Sequence, residues 1–407
     1  MASGNKTVTF GLRSQSEILK ASVYSFSALP QYVEMPVRSG SDASFMAVDG
    51  PIILAGYNYQ FEKAPLAATF AVVGDIRVSG ADIRWPQLKM LLVERSYRDS
   101  RKAVGSHLTV LDGATVSFTN QVNAISPLNA ENVSVRVNAG GTLNFDGGAD
   151  GKYVWDASPA KITVDGMLNV NVPYVGGVNQ NYGGRGEFNL SEILPGAASS
   201  VTTVEDSLTL RPKSDWTTVA QDSGASLTLR VMAKPTIRLG ADWTYGPAAG
   251  VASAGSLSRA VEIVRDSVLH VDANGHTATF ADPVAGEGVL AVTNGTVKGM
   301  IVSPVVLRLS AGGVFETDGQ VIGGIQADGG TVRLTGGDPL VVSGDVELAA
   351  LRFEGVASAR WKSCLVTDGQ FVGEPVLPSG VKFRIVEDNG CRILQTKIIA
   401  GACLLIR

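Results

Sequence analysis

The residues best suited to chemistry lie in one short run, 146–156, which reads Asp-Gly-Gly-Ala-Asp-Gly-Lys-Tyr-Val-Trp-Asp. Polysaccharide cleavage needs two carboxylates at a set separation across a groove, or a base such as Lys or Arg beside a charge-neutralising group. The run offers both, with Asp146, Asp150 and Asp156 as carboxylates and Lys152 among them. Tyr153 and Trp155 would serve as platforms for a stacked sugar ring. Calcium suits the same oxygens, although the run lacks the Gly-Gly-x-Gly-x-Asp nonapeptide and the closing Glu of an EF-hand. The plainer reading is a wide turn with a solvated acidic tip and one buried Trp, and on it we expect no catalytic residue and no cofactor.

Other catalytic patterns are missing. The three histidines, His107, His270 and His276, stand alone at strand or turn positions, with no paired Cys or acidic cluster at ligand spacing, so no metal is expected. No Gly-x-Ser-x-Gly elbow and no Walker-type loop occurs. Cys364, Cys391 and Cys403 match no zinc pattern; a disulfide between Cys391 and Cys403 with one thiol left over, or three buried thiols, both fit the spacing. A net charge of −4 without a dense Lys/Arg run gives no nucleic-acid footprint. No apolar run reaches the roughly 18 residues that span a bilayer, so no transmembrane segment is expected. The opening Met-Ala-Ser-Gly lacks the apolar stretch of a signal peptide, so export would imply a leader already removed.

What must position any such residues is a β-rich chain. Forty-seven glycines and only 18% charged residues favour many turns, and 45% hydrophobic residues with 7% aromatics allow a large core of small branched side chains. Strand–turn–strand phrases recur, most clearly at 268–299, where alternating segments are broken by Asn-Gly turns. Looser copies begin at 107, 133, 161, 207, 226, 306, 325 and 345. The turn glycines Gly113, Gly140, Gly166, Gly275, Gly295, Gly312 and Gly329 draw closer together along the chain. One such unit cannot bury both its faces; stacked units can, with alternate apolar residues pointing into a shared interior. Turn chemistry in phase with its strands favours a solenoid over the alternative of β-sandwich domains.

Three regions follow. Residues 1–105 form an irregular β-rich N-terminal cap region, in which 86–94 is the best helix candidate, opened by Pro86. Residues 106–355 carry the repeats, interrupted by inserts at 172–186 and 245–255. Lateral loops on a rigid scaffold often bind ligands, which makes Tyr174 and Tyr182 further candidates. Residues 356–407 form an antiparallel cap, with a hairpin around Asp388-Asn389-Gly390 and a last strand at 402–406, closing an edge the stack would otherwise expose.

The phrase Gly-Glu-Gly-Val-Leu-Ala-Val-Thr-Asn-Gly-Thr-Val-Lys-Gly at 286–299 resembles the autotransporter-associated β-strand repeat of bacterial surface proteins. The resemblance implies a right-handed parallel β-helix outside the cell or on its surface. The membrane barrel that ends a complete autotransporter is absent from 356–407. Expected, therefore, is a non-enzymatic stalk, adhesin or self-assembling subunit, with carbohydrate or a host or neighbouring cell surface as partner. Two alternatives are a pectin-lyase-like carbohydrate-active enzyme and a trimeric virion tailspike or fibre.

Overall fold

The computed structural model describes side chains at residues 108–117, 134–146, 162–171, 173, 180–194, 200–217, 226–246 and 259–399, and backbone strands elsewhere between Thr7 and Ser199. The chain divides into two compact units, Met1–Ser214 with Ala225–Leu227 and Asp215–Gly224 with Thr228–Arg407. Both are built almost wholly from parallel strands, which makes the fold a parallel β-helix. Parallel register also excludes the β-sandwich alternative, whose strands pair antiparallel.

In the first unit each coil contributes to three faces. One face stacks Thr115–Thr119, Thr142–Phe145, Met167–Val170, Glu187–Leu190 and Thr209–Pro212; a second stacks His107–Val110, Ser134–Val137, Lys161–Val164, Asn179–Gly183 and Ser199–Val204. Short strands such as Tyr153–Val154, Tyr174–Gly176 and Ile193–Pro195 make the third. Alternation sorts the side chains. Leu143, Leu168, Phe188 and Leu210 fall in register and are buried, while the residues between them point outward. Each buried row removes apolar surface worth about 1.5–3 kcal/mol per large side chain.

Three sequence expectations change here. The helix expected over 86–94 gives way to strand where it is described: Asp82–Pro86 and Lys89–Val93 are strands, the latter parallel to Thr69–Val72 and Ile125–Leu128. A short apolar run cannot be assigned by period alone, and pairing on both sides decides it. Parallel stacking also starts before residue 106, since Asp75–Ser79 pairs with His107–Val110 and Asp82–Pro86 with Thr115–Thr119. Residues 172–186 do not interrupt the stack. Their strand Asn179–Gly183 lies between Lys161–Val164 and Ser199–Val204 as an ordinary coil.

The second unit keeps the same three-faced plan. Val268–Asp272, Val289–Thr293, Val306–Ser310 and Gly324–Asp328 stack in order, and Leu269, Leu290, Leu307 and Ile325 form one fully buried row. On a second face Val297, Phe315, Val332 and Phe353 do the same. Trp216, Trp243, Tyr245 and Phe280 form an aromatic cluster with neighbouring centroids 5.5–6.3 Å apart. Tyr245, expected to open an insert, is a core residue, and burial pushes its phenol well above the usual tyrosine range. Residues 247–255 lie outside the described residues.

Most turns obey the expected chemistry. Asn274 and Gly275 both take positive φ (49° and 84°) between Val268–Asp272 and Thr277–Gly286. Gly166 is different, because its backbone is not left-handed. A Cβ there would strike the carbonyl oxygens of Asn138 and Gly141, so close approach of adjacent coils selects glycine.

The expected hairpin around Asn389-Gly390 is present in the second unit. Val381–Asp388 and Cys391–Ile398 form an antiparallel hairpin whose second strand pairs antiparallel with Lys362–Thr367. The expected strand at 402–406, and Cys403, lie outside the described residues. Cys364 is buried and hydrogen-bonds Thr396 at 3.1 Å; burial pushes its thiol up.

Candidate functional site

Outward positions on the first unit's main face carry a run of polar groups. Ser117, Asn144, Asn169 and Asn189 occupy one register column. Asn144 Nδ2 donates to Ser117 Oγ (3.0 Å), Asn169 Nδ2 to Asn144 Oδ1 (2.7 Å) and Asn189 Nδ2 to Asn169 Oδ1 (2.9 Å), across separations of 27, 25 and 20 residues. An amide both donates and accepts, so it can repeat at the roughly 4.8 Å sheet spacing without running out of partners. At the next coil Arg211 is opposite Asn189 and bridges Glu187 at 2.7 Å.

A second column follows the strand ends, where the parallel ladder continues for one more residue. Asn171, Ser191 and Lys213 donate their backbone N–H groups to Phe145, Val170 and Leu190 respectively. Asp146 begins this column. Its Oδ1 accepts from Asn171 Nδ2 at 2.6 Å, and Asn171 Oδ1 accepts from Lys213 Nζ at 2.6 Å, past the small Ser191. Partial burial lowers the Lys213 amine below the usual lysine range, against the pull of the Asp146 carboxylate.

The structure thus brings Asp146 beside Asn171 and Lys213, neither of which the motif reading singled out. The legible signal was phase, since each follows the last inward apolar residue of its strand. Asp150, Lys152, Trp155 and Asp156 lie outside the described residues. The backbones of Tyr153 and Tyr174 pair directly in parallel register, and their side chains lie outside the described residues. Tyr182 is a core residue instead of a sugar platform. It is 2% exposed, its hydroxyl donates to Gln180 Oε1 at 2.9 Å, and its ring lies 4.8 Å from Phe188. Strand alternation turns it inward together with Gln180.

At the opposite end of these strands the turns enclose an open depression of about 890 Å³ lined by Leu111, Asp112, Asn138, Ala139, Asp165 and Arg185. Asp165 Oδ1 accepts the Arg185 backbone N–H at 3.0 Å. Nearby Asp206 likewise accepts the Gly184 N–H at 2.9 Å, so carboxylates here cap the turns of adjoining coils.

Among the described residues no three His, Cys, Asp or Glu side chains converge as metal ligands. His270 is half-buried on a strand and is held below the usual histidine range by burial first, then by Arg308 and Lys234. His276 sits at a turn, 3.8 Å from Asp242. The side chain of His107 lies outside the described residues. No helix among them is long and apolar enough to cross a membrane.

Chemically, the row presents amides, one carboxylate and one amine on an accessible face, each committed to its neighbour. Such a row can hydrogen-bond a hydroxyl-rich ligand. Among the described residues it holds no carboxylate pair, and Asp146 and Lys213 are separated by an intervening amide. In comparisons with protein-family models, curated proteins and solved structures, the chain matches none.

Proposed function

We propose that this chain is a non-enzymatic, surface-exposed β-helix that serves as a stalk or the shaft of an adhesin. One observation carries the reading: outward polar side chains pair from coil to coil. The first unit does this with the Ser117–Asn189 amide column and the second with Arg230–Glu262, Arg238–Asp272 and the Arg333 bridges to Glu316 and Glu354. Side chains spent on stitching coils stiffen a scaffold and leave few groups for turnover. The phrase at 286–299 supports placement outside the cell, and the polar row of the first unit is the face offered to carbohydrate.

The Asp146–Asn171–Lys213 cluster favours the runner-up, a carbohydrate-active enzyme of the pectin-lyase type, in which a lowered amine would be the base. A panel of acidic and neutral polysaccharides separates the two. The scaffold reading expects no cleavage by the whole chain. Release of unsaturated or reducing ends that is lost in both Asp146→Ala and Lys213→Ala would overturn it.

A further inference from the structure

The hairpin that caps the second unit covers one strand and leaves another. Within its sheet the order runs Val321–Ile322, Leu340–Val342, Lys362–Thr367, Cys391–Ile398, Val381–Asp388, so the last strand is an edge among the described residues. It is eight residues long, and Ile385 at its middle is 43% exposed. Long edges with exposed apolar residues are templates for another strand.

Hairpin geometry fixes which groups face outward. Asn389 and Gly390 both have positive φ (50° and 81°), a type I′ turn that makes Asp388 and Cys391 a hydrogen-bonded pair. Alternation then directs the backbone groups of Lys382, Arg384 and Val386 toward Cys391–Ile398, and those of Phe383, Ile385 and Glu387 outward.

We propose that this edge pairs antiparallel with the same strand of a second copy, about a twofold axis through Ile385. In that register Ile385 exchanges both backbone hydrogen bonds with its counterpart. Phe383 lies opposite Glu387, and Lys382 lies opposite Asp388 in a non-hydrogen-bonded pair, where side chains come closest. Charge selects it. Centring the axis on Phe383 sets Lys382 against Arg384, centring on Arg384 sets that residue against itself, and centring on Glu387 does the same for a carboxylate. An axis through Val386 would pair Arg384 with Asp388, but it shortens the overlap and draws on a guanidinium already stacked 4.3 Å from the Trp361 centroid and bonded to Gln395. Lys382 is likewise held over Trp361, at 5.7 Å, beside the edge. Asp388 is exposed and carries no ion pair among the described residues. Glu387, by contrast, already bridges Arg392 at 3.3 Å. The proposal stands whether the scaffold is a stalk or an enzyme.

Sedimentation equilibrium of the whole chain, with circular dichroism to confirm folding, tests it through a charge-swap cycle. The unaltered chain should dimerise. Lys382→Glu and Asp388→Lys should each weaken dimerisation at least tenfold, because two like-charge pairs replace two attractive ones. The double swap should restore it. A monomer at every concentration, a trimer, or a dimer indifferent to the single swaps would overturn the assignment. Weakening by Asp388→Lys alone, with Lys382→Glu silent, would replace the Ile385 axis by the Val386 one.

Discussion

The two units solve the same problem with different chemistry. Parallel coils must be kept in register, and the first unit does so on its main face chiefly with neutral amides, Asn144, Asn169 and Asn189 in a column that gives way to the Arg211–Glu187 ion pair only at its last coil. The second relies on charge, with Arg333 between Glu316 and Glu354, Arg238 on Asp272 and Arg230 on Glu262. Amide ladders are indifferent to ionic strength and to pH. Ion pairs on a solvated face are screened by salt and contribute little individually. The contrast shows that regular backbone stacking does not dictate what decorates it; outward rows are free to vary once inward rows are apolar.

Truncating a core row provides the reference against which both kinds of stitching are measured, and it should have the largest effect. Leu290→Ala, at a fully buried position, should cost about 2–5 kcal/mol in urea unfolding. Asn169→Ala removes one donated and one accepted amide bond and should cost about 1–3 kcal/mol, unchanged between 0.05 and 1 M salt. Arg333→Ala should cost about 0.5–1 kcal/mol at low salt and close to nothing at 1 M. Hydrogen exchange read strand by strand would assign each loss to its unit; a salt-dependent Asn169 effect would erase the distinction.

The smallest effect concerns His270, whose folded pKa lies below its ordinary value because burial, Arg308 and Lys234 oppose its cation. For a base so lowered, stability is complete above the unfolded pKa near 6.5 and is lost as pH falls from there toward the folded value. Melting temperature should therefore fall modestly on acidification from pH 7.5 to 5.5, and His270→Gln should flatten part of that slope. An identical slope in the variant would remove His270 from the account.

Much of this architecture was readable from residues. The Asn-Gly turns at 274–275 and 294–295, the alternating apolar rows beside them and the hairpin at 381–398 follow from φ preference and period alone. The strand Lys89–Val93 was not readable as one, because Leu, Met and Val in five residues fit either period until neighbours are known. Coil 179–183 was missed because its inward positions are Gln180 and Tyr182, polar groups that satisfy each other inside. The pattern rule tracks apolar residues and cannot see such a pair. Asp146 was readable as a candidate from its acidic neighbours, while its actual partners are contributed by later coils. Lys213 is 42 residues from the Asn171 it bonds, a proximity set by coil lengths and not by any local motif.

Register also makes length a quantised property. In the second unit Arg308 meets Gln326 after 18 residues, and Val306, Leu307 and Leu309 rest on Gly324, Ile325 and Ala327. A half-coil insertion would throw every later inward residue onto the wrong face, whereas a duplicated whole coil would set Leu307 on its own copy and add one sheet spacing, about 4.8 Å. Such a chain can be lengthened or shortened in steps, like a ruler, and every intermediate length is forbidden by the same rows that hold it together.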